Sequence, residues 1–391
     1  MLDKITLTDF LSFGPGAHEL VLRPLNVIIG PNGSGKSNLV EAFAVLHAVP
    51  GNLPVPIREG GGVDEWLWQS GTTRRAASAS IEIVFGANQI TRSAVRYRMS
   101  FGSEGHSFVV LDERIERTTP DPGSQKPYFY FGYEQGRPML NHVEESSRRF
   151  LKVADIDPTQ SILSQWRDPE SFPEVASVGD RLKEIAIYRS WSFGPLSPIR
   201  RACGADVRND RLLEDFSNLP SRLAVLKRDG VKKRHLIELL GEIAPGFDDI
   251  EIVPEGGQLQ LYLMERDRSV PARRLSDGTL RFLCLAAILI DPGPVRLVVI
   301  EEPELGLHPD VLPTLRDLLV DASARFQVVV TTHSTQLVDA MTNHADSVVI
   351  AEKDEATTGV RRLDQADIDR WREFGSLGAL WTSGHFGGNR W

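Results

Sequence analysis

Two glutamates, Glu301 and Glu302, stand side by side directly after the apolar run Leu297–Ile300 in the stretch RLVVIEEPELGLHPD. Adjacent carboxylates repel and raise each other's pKa unless a cation or a polarised water takes up the negative charge. The pair therefore asks for a metal and a reaction. The alternative is that Glu301 and Glu302 open a solvated loop, with Glu304 as a third surface acid. The run before them lacks a two-residue alternation, which predicts a strand covered on both faces, as in a parallel sheet flanked by helices. In such sheets ligands bind at the carboxyl ends of the strands.

A second stretch supplies what the acids would act upon. Leu25–Ile29 reads as a short buried strand; it runs into GPNGSGKSN, Gly30 to Asn38, and then into LVEAFAVLHAV, where Leu39, Phe43 and Leu46 recur at helical spacing. This order of strand, G-x-x-x-x-G-K-S loop and helix is the context that a phosphate-binding P-loop requires. Gly30, Pro31, Asn32, Gly33, Ser34, Gly35, Lys36, Ser37 and Asn38 are thus the expected nucleotide-binding residues. Glycines let successive backbone N–H groups turn toward phosphate oxygens, and the helix N-terminus adds its positive dipole end. Lys36 is placed to reach the β- and γ-phosphates, and the Ser37 hydroxyl to ligate Mg²⁺. P-loop enzymes usually hold the metal through an Asp on a second strand; Glu301 takes that place here, one methylene longer.

Two more stretches narrow the choice. RRLSDGTLRFLCLAAILI, from Arg273, predicts a helix capped at Ser276 and apolar on nearly every side, hence buried. FQVVVTTHSTQLV, from Phe326, predicts another apolar strand ending in a polar turn that carries His333. Together with the opening ITLTDFLSFG, these motifs resemble the ATP-binding-cassette ATPases, in the branch shared by SMC-type, RecF-like and OLD proteins. LSDGT stands where that family has its signature L-S-G-G-Q, and VVIEEPELGLHP stands at the Walker B strand and D-loop. The resemblance covers residues 1–85 and 250–350.

The resemblance implies that Ser276 and Gly278 contact the γ-phosphate of a nucleotide held by a second copy. It implies that Glu302 polarises the attacking water and that His333 holds the γ-phosphate and Glu302 in place. Gln69, in DEWLWQSG, is the candidate for the family's metal-touching Q-loop glutamine. Two departures stand out. Asp277 replaces the first signature glycine, and an acid near phosphate weakens the contact with the second copy unless it caps the helix. His308 sits in the D-loop where transporters have Asp.

The whole is expected to be an α/β protein: an ABC-type head over residues 1–391, with a mixed sheet flanked by helices and an antiparallel edge lobe at 80–132. A compact helical insertion is expected at 140–249 and a flexible docking tail at 375–391, with Trp381, Phe386 and Trp391 exposed. No heptad pattern persists, so the long SMC coiled coil is not expected. OLD proteins continue into a Toprim nuclease; the 37 residues after Asp354 are too few for one. Basic clusters at Arg148–Arg149, Arg200–Arg201 and Lys232–Arg234 read either as solvated helix faces or as a DNA groove, beside Trp166 and Trp191 as base-stacking candidates.

The 391 residues carry a net charge of −9, which excludes a uniformly basic nucleic-acid coat. Two well-separated cysteines, Cys203 and Cys284, match no metal-ligand spacing and suggest reduced thiols. With no signal peptide and no membrane-length apolar run, the reading is a cytoplasmic protein that does not enter membranes. The expected function is an ATP-gated homodimeric ATPase using ATP and Mg²⁺, in anti-phage DNA defence or DNA repair, with a separate effector such as a nuclease. The alternative is a nucleotide-sensing scaffold in which hydrolysis is only a slow reset.

Overall fold

The computed structural model describes residues 1–71, 74–142, 148–354, 357–364, 367–369, 378 and 381. The chain forms two compact units, one of Met1–Ile185 with Asp346–Asp364, the other of Ala186–Ala345 with Gln365–Phe386.

In the first unit, eight strands from Leu2 to Phe150 make one antiparallel sheet. Ser78–Phe85, SASIEIVF, alternates half-exposed and buried residues along its length. That is the pattern of a strand with one face on the core and one toward water. Its neighbour Val95–Glu104 sets Tyr97 opposite Ile83 on one side and opposite Ile115 of Ser107–Arg117 on the other. The expected antiparallel lobe is therefore present, and it extends beyond 80–132 to take in Leu2–Thr8 and His18–Val21. The same unit holds the P-loop strand Leu25–Ile29, buried at all five positions. It runs parallel to Val348–Asp354, which turns back antiparallel into Thr357–Arg362.

In the second unit, Leu297–Glu301 and Gln327–Thr332 run parallel, with Glu301 opposite Thr331. Every position of these two strands is buried except Glu301. The apolar runs thus form doubly covered strands, as their lack of alternation required. The helix Asp277–Ile290 is buried from Leu280 to Ile290, and Leu312–Ser323 buries Leu312, Leu315, Leu318, Leu319 and Ala322 at helical spacing.

The stretch 140–249 is less helical than expected. It contains helices Ile162–Gln165, Pro173–Lys183, Leu219–Arg228 and Gly230–Ile243, but also strands Arg148–Phe150, Ile185–Tyr188 and Cys203–Gly204. It is divided between the two units at Ile185 and Ala186. Both cysteines are free and buried. No helix among the described residues is long and apolar enough to cross a membrane.

Candidate nucleotide-hydrolysis site

The P-loop is built in the first unit. The helix Lys36–Ala48 starts from Gly35, whose φ of 98° is the left-handed conformation that glycine takes without a Cβ penalty. Space requires glycine there as well. A Cβ would stand 2.7 Å from Ser12 Oγ and 2.8 Å from Thr358 Cγ2. The Thr358 hydroxyl hydrogen-bonds with Ser12 Oγ at 2.7 Å and with the Ser34 carbonyl at 2.9 Å, and Asn38 Nδ2 donates to Ser12 Oγ at 2.7 Å. Ser12 and Thr358, neither identifiable from the motif, are thus the floor on which the loop rests.

Lys36 is 7% exposed, and its ammonium donates to the carbonyls of Gly30 at 2.7 Å and Pro31 at 3.0 Å. The Ser34 hydroxyl is buried without a hydrogen-bond partner, and Ser37 and Asn32 are exposed. A glycine-turned loop with an enclosed cation and an orphaned hydroxyl fits a phosphate group. Gln69 is exposed on the two-residue strand Gln69–Ser70, and its side chain donates to the Asp64 carbonyl at 3.2 Å.

The acids and the histidine belong to the second unit. Glu301 closes its strand, and its carbonyl accepts from Trp191 Nε1 at 2.7 Å. Glu302 leaves the strand with φ 48°, a left-handed conformation uncommon outside glycine and concentrated at functional sites. Its N–H is held by the Thr331 carbonyl at 2.9 Å, and its Oε1 lies 2.7 Å from His333 Nδ1. Glu302 and His333, 31 residues apart, therefore meet as the resemblance implied. This contact favours an organised pair over a solvated loop. Glu304 departs from the surface reading, being only 7% exposed. Burial pushes its carboxyl above the usual carboxylate range.

Ser276 caps the helix Asp277–Ile290 as expected, accepting from the Thr279 N–H at 3.0 Å. Gly278 is needed for close approach, since a Cβ there would stand 2.9 Å from the Gly306 carbonyl. Ser276, Gly278 and Thr279 line a cavity of about 270 Å³ together with Gly306, Leu307 and His308. The signature and D-loop residues thus share one recess. Asp277, the departure from the signature pattern, pairs with Arg200. Arg200 is itself committed to the carbonyls of Phe193 at 2.8 Å and Leu275 at 2.8 Å. The neighbouring guanidinium thus answers the charge that Asp277 brings. His308 caps the short turn Pro309–Val311, accepting from the Asp310 N–H at 3.3 Å.

Several other sequence readings change. Arg200 anchors the signature segment and does not line a groove, and Lys232 pairs with Asp291 at 2.6 Å. Arg149 lies over the Trp166 ring at 4.6 Å, and Arg148 faces Glu134 at 3.8 Å. Trp191 stacks on Phe216 at 4.9 Å with Arg281 4.7 Å from its ring centroid, so its faces are taken within the protein. The expectation of an exposed Trp381 is corrected: its ring is buried, at 5% exposure, and nearby the Gly378 N–H donates to Asp339 Oδ1 at 2.5 Å. Phe386 and Trp391 lie outside the described residues.

Known proteins resemble this chain in sequence and in fold. The chain is 22% identical over 383 residues to an OLD nuclease of Thermus scotoductus, covering 92% of this chain and 65% of that protein. It is 30% identical over 159 residues to the DNA replication and repair protein RecF of Acidothermus cellulolyticus, covering 39% of this chain and 42% of that protein. The chain therefore spans less than two thirds of the length of these relatives. Among solved structures, an Smc head bound to the C-terminal winged-helix domain of ScpA superposes with a TM-score of 0.58 at 16% identity, covering 94% of this chain and 99% of that one. A second Smc head, with an extended coiled coil and bound to the C-terminal domain of ScpA derived from Pyrococcus furiosus, gives 0.57 at 15% identity, covering 95% and 98%. The fold is that of the ABC-type ATPase heads of SMC proteins. Residues 25–339, which include the P-loop, the signature segment, the paired glutamates and His333, match the family described as "AAA domain, putative AbiEii toxin, Type IV TA system", and the chain belongs to that family of P-loop ATPases.

Proposed function

We propose that this protein binds ATP with Mg²⁺, hydrolyses it, and does so as an ATP-gated dimer in DNA defence or repair beside a separate effector such as a nuclease. The observation that carries the reading is the Glu302–His333 contact at 2.7 Å, set on a Glu302 backbone held at φ 48°. A strained carboxylate oriented by a histidine, at the end of a buried parallel strand, is the arrangement of a general base.

The P-loop N–H groups and Lys36 bind the β- and γ-phosphates. Glu302 accepts a proton from the water that attacks the γ-phosphorus, and ADP departs with the electrons of the broken P–O bond. His333 orients Glu302. Ser276 and Gly278 of one copy meet the nucleotide of the other. Ser37 and Glu301 are the residues that their motifs assign to Mg²⁺, which when bound supplies charge neutralisation at the phosphates; Gln69 is a further candidate. Support for DNA work comes from the likeness to an OLD nuclease and to RecF proteins, and support for a protein partner from Smc heads seen with ScpA.

The test is Glu302→Gln, which keeps the shape and removes the base. Phosphate release should fall by roughly 10²–10⁴-fold, and sedimentation should show a dimer that accumulates with ATP. An unchanged rate overturns the hydrolytic role, and an unchanged mass with and without ATP overturns the dimer.

A further inference from the structure

Glu304 follows Glu302 by two residues, and its side chain reaches the other loop of the pair. Its Oε1 accepts from Thr332 Oγ1 at 2.5 Å, and Thr332 Oγ1 accepts from the Ser334 N–H at 3.0 Å. Thr332 immediately precedes His333. The carboxylate just after Glu302 therefore grips the residue just before His333, and the Ser334 contact holds the turn on its far side.

The rest of Glu304 is enclosed. Its Oε2 is buried with no hydrogen-bond partner. A buried carboxylate is costly unless hydrogen bonds and an opposite charge compensate it. Arg281, on the signature helix, is 5% exposed. The Arg281 Nε is likewise buried without a partner, while the guanidinium carbon rests 4.7 Å from the centroid of the Trp191 ring. Trp191 in turn holds the Glu301 carbonyl.

We infer that Glu304 is a positioning residue: through Thr332 it sets the separation of Glu302 and His333. This rests on the hydrolytic reading above. Because near-attack geometry is exacting, a displacement of about 1 Å in such a pair costs on the order of 100-fold in rate.

The experiment measures steady-state ATP hydrolysis and, separately, nucleotide affinity and circular dichroism for each variant. Glu304→Ala and Thr332→Val should each lower kcat by roughly 10- to 100-fold while KM for ATP changes less than about threefold. The double variant should be no worse than the poorer single one, because both remove the same hydrogen bond. Glu304→Gln and Thr332→Ser, which keep an acceptor and a hydroxyl, should stay within about threefold of the parent. Folded Glu304→Ala with parental kcat, or single effects that multiply in the double variant, overturns the inference. If Glu304→Ala does not fold, Thr332→Val against Thr332→Ser decides. A parent whose hydrolysis is insensitive to Glu302→Gln sinks the hydrolytic reading, and this inference with it; Glu302-dependent hydrolysis with indifferent Glu304 and Thr332 variants sinks the inference alone.

Discussion

Replacing Gly35 by Ala tests whether the floor beneath the P-loop sets its shape. With φ at 98°, an alanine there carries a left-handed backbone cost of about 1–2 kcal/mol. Its Cβ would also fall 2.7 Å from Ser12 Oγ and 2.8 Å from Thr358 Cγ2, well inside van der Waals contact. Relieving that overlap means displacing Thr358, whose hydrogen bonds at 2.7 and 2.9 Å contribute roughly 1 kcal/mol each. The sum is about 3–4 kcal/mol, a large fraction of an ordinary domain's stability. At roughly 2–4 °C per kcal/mol for a unit of this size, the melting temperature should fall by about 10 °C. Two companion variants separate the contributions. Gly33→Ala has φ 77° but open space around its Cβ, so it should lose only the backbone part. Gly35→Ala combined with Thr358→Ala should be less destabilised than the sum of the single effects, because the overlap with the Thr358 side chain has been removed. Differential scanning calorimetry reads the parent, these three variants and Thr358→Ala alone. A Gly35→Ala melting within about 2 °C of the parent, or strict additivity in the double variant, refutes the reasoning.

Other expectations are simpler. Lys36→Ala should abolish ATP binding in a calorimetric titration of the folded protein, since it removes the cation the loop encloses; unchanged affinity would end the P-loop assignment. Trp381→Ala should destabilise the protein by about 3–5 kcal/mol in urea denaturation, as the loss of a buried aromatic does, whereas a free docking tail would show no shift. The buried carboxyl of Glu113 accepts from Tyr97 at 2.8 Å and from the Ile162 N–H at 2.8 Å, and burial raises its pKa. The fold thus favours its neutral form, a stabilisation present below the usual carboxylate pKa and lost as pH rises through the folded value. Glu113→Gln should therefore gain melting temperature relative to the parent between pH 4 and pH 8, and parallel profiles would count against the assignment.

The candidate chemistry was legible in the chain because its signals are local. A glycine-turned phosphate loop needs only neighbours in sequence, and its flanking strand and helix are written in burial patterns a few residues long, so Leu25–Ile29, Gly30–Asn38 and the helix from Lys36 were readable together. The same holds for the Ser276 cap and for Leu297–Glu301, whose unbroken apolar run specifies a doubly covered strand. The Glu302–His333 pairing was implied only through a resemblance; its contact needs two parallel strands in the register that sets Glu301 opposite Thr331.

What tertiary structure alone decided are the supports, since they join residues with no common local signal. Thr358 reaches Ser12 across 346 positions, and Arg200 reaches Asp277 across 77. A surface acid and a buried one look alike in sequence, so Glu304 could be placed only by the packing that surrounds it. A tryptophan near a glycine-rich end reads as exposed from its neighbours in sequence, yet Trp381 is buried. Local spacing determines which groups can do chemistry; burial and long-range contact, which depend on the whole packed unit, determine how firmly those groups are held.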